Sequence, residues 1–141
     1  MKRIFCLVIG FVLICSLSAC QKAVSPSGDA PDEQTIVEDA TAYFNQMLSG
    51  DFETLYNALP QGVKEKTSVQ AMQDDWNKES ENVGGLPEKV SPTVSCYTPE
   101  NSEQLRVEFV THCENGDFKV FINYSADGKL YNYVIWQNAN S

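Results

Sequence analysis

The 141-residue chain has a single histidine, His112, and none of its five cysteines stands in a Cys-x-x-Cys pair, which excludes a histidine-rich or paired-cysteine metal site. His112 and Cys113 are neighbours in a segment predicted to be a strand. Their side chains therefore point to opposite faces and cannot form a Cys-His dyad, and His112 is expected at the solvated surface. The eight glycines are scattered and build no phosphate-cradling loop, which argues against nucleotide binding. Neither a metal nor any other cofactor is expected. Basic residues are scarce, ten against nineteen acidic ones, so the surface repels phosphate backbones and no nucleic-acid partner is expected. Long hydrophobic runs are also missing. The longest apolar stretch, Ile4 to Ile14, falls short of the roughly 20 residues that a lone membrane-spanning helix needs.

That stretch follows Lys2 and Arg3 and gives way to a short polar segment, the layout of a secretory signal covering residues 1–19. Its end, Leu17-Ser18-Ala19-Cys20, resembles the lipobox of bacterial lipoproteins. The resemblance implies cleavage before Cys20 and a diacylglyceryl group on the Cys20 thiol, so that the chain is lipid-anchored in the cell membrane and faces the extracytoplasmic side. One acyl chain anchors only marginally and two suffice, so the implied modification is physically adequate. Loss of the leader removes Lys2 and Arg3 and no acid, leaving eight basic residues against nineteen acidic ones and a net charge of −11. A neutral or cationic partner is easier to accommodate on such a surface than an anionic one. Residues 20–34, rich in Ser, Pro, Gly and charge, read as a flexible tether. Residues 35–141 then form one domain, long enough for a single core.

Within it, Ile36, Val37, Ala40, Tyr43, Phe44, Met47 and Leu48 recur at helical spacing, with Gly50 as the stop. Asp51 stands where an N-cap belongs, before a short helix carrying Phe52, Leu55, Tyr56 and Leu59. A third helix is predicted from about Ser68 to Glu79, with Val69, Met72 and Trp76 on one face. The period then changes. Residues 90–97, 104–113, 118–124 and 130–136 are rich in β-branched and aromatic side chains and are separated by turn signals, so the fold class is α+β.

Placing Asn115-Gly116 at a two-residue hairpin tip pairs Cys113 with Phe118, Thr111 with Val120, Phe109 with Ile122 and Val107 with Tyr124 on the core face. On the other face, Val110 then stands opposite Phe121. The Asp127-Gly128 turn allows two registers, which put either Val134 or Tyr133 beside Phe121. Both leave an apolar patch of Val110, Phe121 and Tyr133 or Val134, a candidate surface for a homodimer or another partner. If residues 98–103 form a turn, Cys96 pairs near Leu105, too far from Cys113 for a disulfide, and both thiols are expected free and largely buried.

Three helices followed by a four-stranded meander, with Ser49-Gly50-Asp51-Phe52-Glu53 after helix one and Ala126-Asp127-Gly128-Lys129-Leu130 before the last strand, resemble domain of unknown function 3887, in the nuclear-transport-factor-2-like (cystatin-like) superfamily. The resemblance spans about Thr35 to Trp136. It implies N-terminal helices packed in a cone against a curved antiparallel sheet, a cone mouth that can hold a ligand, and a convex sheet face that often makes dimers. Enzymes of the superfamily usually carry an Asp, Glu or His dyad inside the cone. The inward candidates here are Trp76, Phe109, Phe118, Ile122, Tyr124 and Trp136, a candidate pocket for a small apolar or neutral ligand, and by default ordinary core. No catalytic residue is assigned. The expectation is a non-enzymatic binding domain for a small molecule or an envelope protein. The alternatives are an isomerase- or dehydratase-like enzyme using an Asp or Tyr, favoured by a buried carboxylate in the cone, and a structural homodimer.

Overall fold

A computed structural model of the chain describes residues 32–139. The predicted leader, Cys20 and the tether up to residue 31 lie outside the described residues. Four helices precede four strands: α1 (Glu33–Leu48), α2 (Phe52–Ala58), α3 (Gln61–Lys64), α4 (Val69–Asn82), β1 (Thr93–Tyr97), β2 (Leu105–Cys113), β3 (Gly116–Tyr124) and β4 (Leu130–Ala139). The fold is α+β, with the helices packed against an antiparallel sheet in the meander order β1-β2-β3-β4.

The predicted periodicity of α1 holds, with Ile36, Ala40, Phe44 and Met47 buried. The helix begins at Glu33, two residues inside the segment read as tether, supported by an acid in its first turn and a Gln34–Glu38 hydrogen bond of 2.9 Å. Asp51 caps α2 as expected, its carboxylate accepting from the Thr54 backbone N–H at 3.2 Å; the Thr54 hydroxyl, donating at 2.8 Å, and then that N–H hold the carboxyl below the usual range. Ser68 caps α4 through the Ala71 N–H at 3.1 Å. The single turn α3 was not predicted. Four residues give no apolar period, and Pro60 marks only where it starts.

The hairpin register differs from the predicted one by two residues. Cys113 pairs with Gly116, Thr111 with Phe118, Phe109 with Val120, Val107 with Ile122 and Leu105 with Tyr124. The turn is Glu114-Asn115 rather than Asn115-Gly116. A type I′ tip at Asn115-Gly116 needs a positive φ at Asn115, whereas Asn101 is the one non-glycine residue with positive φ among those described. Gly116 instead follows the turn at φ 144°, a conformation open to glycine. The Asn115 backbone N–H is engaged elsewhere, donating to the Val83 carbonyl at 3.0 Å just beyond the end of α4.

A shift of two preserves which side chains face inward, because strand side chains alternate with period two. Val107, Phe109, Thr111, Phe118, Val120, Ile122 and Tyr124 are all buried against the helices. On the opposite face the pairings do change: Glu108 stands opposite Phe121, and Val110 opposite Lys119. Of the two registers left open for β4, the structure takes the one with Val134 beside Phe121. Tyr133 pairs with Ile122 and belongs to the helix-covered side, so it leaves the outer patch. Cys96 pairs with Val107, two residues along β2 from Leu105.

Candidate functional site

Of the residues proposed as a pocket, all but Trp136 are buried in the core. Phe44 from α1 stacks on Phe109 with ring centroids 4.5 Å apart and planes 2° from parallel. Trp76 from α4 meets Phe118 edge-on at 4.9 Å, and Phe52 from α2 meets Trp76 at 5.7 Å. These five rings fill the space between the helices and the sheet, and each such pair contributes about 0.5–1.5 kcal/mol beyond its burial. Ile122 and Tyr124 are buried beside them. Trp136 lies on the outer sheet face, 45% exposed, opposite Lys119. The interior carries apolar groups in place of an acid-base constellation, and among the described residues no group of His, Cys, Asp or Glu is arranged to hold a metal.

The outer face combines its apolar residues with pairing between charges. Lys119 Nζ lies 3.2 Å from Glu108 and 5.7 Å from the Trp136 ring centroid. Arg106 covers the Phe121 ring at 5.0 Å and donates to Asn123 Oδ1 at 2.8 Å. Asn123 in turn donates to Asn132 at 2.6 Å. The patch expected from Val110, Phe121 and Val134 is thus crossed by a polar ladder. His112 is exposed, as expected, with Nδ1 2.6 Å from Asp117. Cys96 and Cys113 are free and half-buried, and burial pushes both thiols up.

Open space lies instead at the end of the sheet where β3 turns into β4. A cleft of about 600 Å³ is walled by Asp39 and Tyr43 of α1, by Ala58 and Pro60, and by the segment from Ser125 to Tyr131. Asp39 is held by Tyr124, whose hydroxyl donates to Oδ2 at 2.8 Å. Among the described residues, the other carboxylate oxygen accepts no hydrogen bond and no Lys or Arg pairs with it. Burial, the bond to Asp39 and that carboxylate's charge push the Tyr124 phenol far up, so it remains a donor. Burial and the Asp39 charge also raise Tyr43.

Lys129, on the opposite wall, is committed to Asp127 at 2.6 Å, and Asp127 also accepts from Ser125 at 2.5 Å. The hydrogen bonds from Lys129 and Ser125 hold the Asp127 carboxyl down at about 2. With that pair internally neutral, Asp39 is the charge of the cleft left without a cation partner among the described residues. Tyr43 and the 45% exposed Tyr131 supply aromatic wall. This arrangement suits a neutral or cationic group and disfavours an anion.

Of the six residues read as a pocket, Tyr124 alone reaches this site, through its hydroxyl. Asp39 was missed. Its one sequence signal is the spacing to Tyr43, four residues on, which places a carboxylate at the margin of the apolar stripe.

No family model, curated protein or solved structure matches this chain.

Proposed function

We propose that this chain is a lipid-anchored extracytoplasmic lipoprotein whose domain is a non-enzymatic binding module, taking a neutral or cationic organic group into the cleft beside Asp39. The likeness of its element order to domain of unknown function 3887 is part of the same reading, as is lipidation at Cys20. The observation that carries it is the Asp39 carboxylate, oriented by Tyr124 and left with a free oxygen on the wall of an open cleft. An aromatic and acidic wall recognises an ammonium group by charge and by cation–π attraction together. A binding role is favoured over acid-base catalysis because the core is filled by aromatic rings and Tyr124 is pinned as a hydrogen-bond donor.

The test is an NMR titration of the full chain in detergent micelles with tetramethylammonium, with acetate as the anionic control. Tetramethylammonium should shift resonances of Tyr43 and Tyr131, and Asp39→Asn should abolish the shifts; equal responses to acetate would refute the reading. Metabolic labelling with a radioactive fatty acid, lost in Cys20→Ala, checks the anchor.

A further inference from the structure

β4 is the last strand of the sheet, and its outer edge is unlike that of β1 at the other side. β1 is five residues long and bracketed by Pro92 and Pro99, the usual means of blunting an edge. β4 runs for ten residues, LYNYVIWQNA, with no proline, glycine or charged side chain. Among the described residues, no backbone hydrogen bond joins Tyr131–Asn138 to anything but β3. Such an edge is a ready template for another strand.

The space beside it has the corresponding form. Two further clefts, of about 540 and 310 Å³, continue the Asp39 cleft along β4. Pro60 and Tyr131 are shared by the first pair and Val63, Lys66 and Tyr133 by the second, so the three form one trough. On the sheet side its wall is every consecutive residue from Lys129 to Ile135. A cavity against one face of a strand touches alternate residues; one that touches them all lies along the backbone edge. The opposite wall runs from Ala58 through α3 to Lys66 and Thr67, with Asp75 of α4 beyond them. From Leu130 to Ile135 the trough is about 17 Å long at ~3.4 Å per residue.

We propose that β4 accepts an extended, basic segment of a second protein by strand addition in this trough, with a lysine or arginine of that segment on Asp39. The basic character follows from charge: the chain carries nineteen acidic residues against ten basic, and among the described residues no Lys or Arg pairs with Asp39. A second copy of this chain would bring the same net negative charge to a trough whose own cations are Lys66 and the Asp127-bound Lys129, faced by Asp39 and Asp75, so a foreign basic segment fits better. The position of the basic residue rests on the Asp39 cleft being a binding site; the strand addition rests on the β4 edge alone.

The experiment uses the ¹⁵N-labelled full chain in detergent micelles and the decapeptide (Lys-Val)5. The acidic (Glu-Val)5 and a (Lys-Val)5 N-methylated at alternate residues serve as controls. Expected is slowed exchange at alternate β4 amides, binding at least 10-fold weaker after N-methylation, no binding of (Glu-Val)5, and a loss of about 3- to 10-fold with Asp39→Asn. Equal affinity for the N-methylated peptide with Asp39→Asn still weakening it overturns strand addition and leaves the cleft intact. Protected β4 amides with no effect of Asp39→Asn uphold strand addition and refute the cleft. Absence of binding at millimolar peptide, or concentration-dependent β4 protection without peptide, overturns the proposal, the latter in favour of a second copy.

Discussion

The hydroxyl of Tyr124, the last residue of β3, donates to Asp39 Oδ2 on α1 across 2.8 Å, joining positions 85 apart in sequence. A hydrogen bond to a charged group is worth about 1.5–3 kcal/mol when both partners are shielded. Asp39 is exposed and resolvates when released. Tyr124→Phe should therefore lower stability by about 1 kcal/mol without changing the denaturant dependence, measurable by urea unfolding.

Burial raises Tyr124, Tyr133 and Tyr43 above the ordinary phenol value of about 10. Below that pH both folded and unfolded chains keep these protons, and their contribution is fully present. Above it the unfolded chain releases protons that the folded one retains, so stability falls as pH rises. The urea midpoint should drop between about pH 10 and pH 11.5, and less steeply in Tyr124→Phe. A midpoint that stays flat would contradict the buried environment of these phenols.

Phe44 is the ring through which α1 grips the sheet, stacked on Phe109 and in contact range of Trp76 at 6.2 Å. Removing a buried phenylalanine costs about 3–5 kcal/mol through lost transfer energy and the cavity left behind. Phe44→Ala should therefore forfeit a large share of a domain stability of about 5–15 kcal/mol. Thermal unfolding by circular dichroism reads this as a fall in Tm, whereas Trp136→Ala, on the outer face, should leave Tm nearly unchanged.

Thr111 is 2% exposed on the core face of β2, and its Oγ1 has no hydrogen-bond partner among the described residues. A buried hydroxyl without a partner costs about 1–3 kcal/mol relative to an apolar group of the same shape. Valine has that shape and suits a strand. Thr111→Val should raise stability by about 1 kcal/mol in the same urea assay.

Cys96 pairs across from Val107, six positions along β2 from Cys113. That is about 20 Å at ~3.4 Å per residue, against the roughly 7 Å that a disulfide tolerates between α-carbons. The intact mass under non-reducing conditions should show both thiols reduced. Because burial raises both, alkylation at neutral pH should be slow and should accelerate on adding urea.

The elements were legible where a period had room to repeat. Sixteen residues of α1 carry the helical stripe, and β2 and β3 show the strand alternation that fixed the core face. The hairpin tip was misread because Asn115-Gly116 is a strong local turn signal, and the competing bond from the Asn115 N–H to Val83 depends on where α4 ends in space. For the same reason, the inward direction of Phe109 and Phe118 could be read, but not that Phe44 and Trp76 would occupy the room in front of them. Trp136 was placed inward because apolar rings alternate poorly in Tyr131-Asn132-Tyr133-Val134-Ile135-Trp136, where both faces are apolar. Asp39 escaped notice because its partner Tyr124 lies at the far end of the sequence.

The bond from Asn115 to Val83 sits just ahead of β3, and the bond from Tyr124 to Asp39 closes its other end. The nine residues of β3 therefore act as a gauge that sets how far apart the two fastenings of the helical layer lie. One residue inserted into β3 would turn every following side chain to the opposite face, and a pair inserted would restore the faces but carry one fastening past its mate. Changes of length belong in the loop from residue 98 to 104 or at the Asp127-Gly128 turn, where neither fastening is spanned.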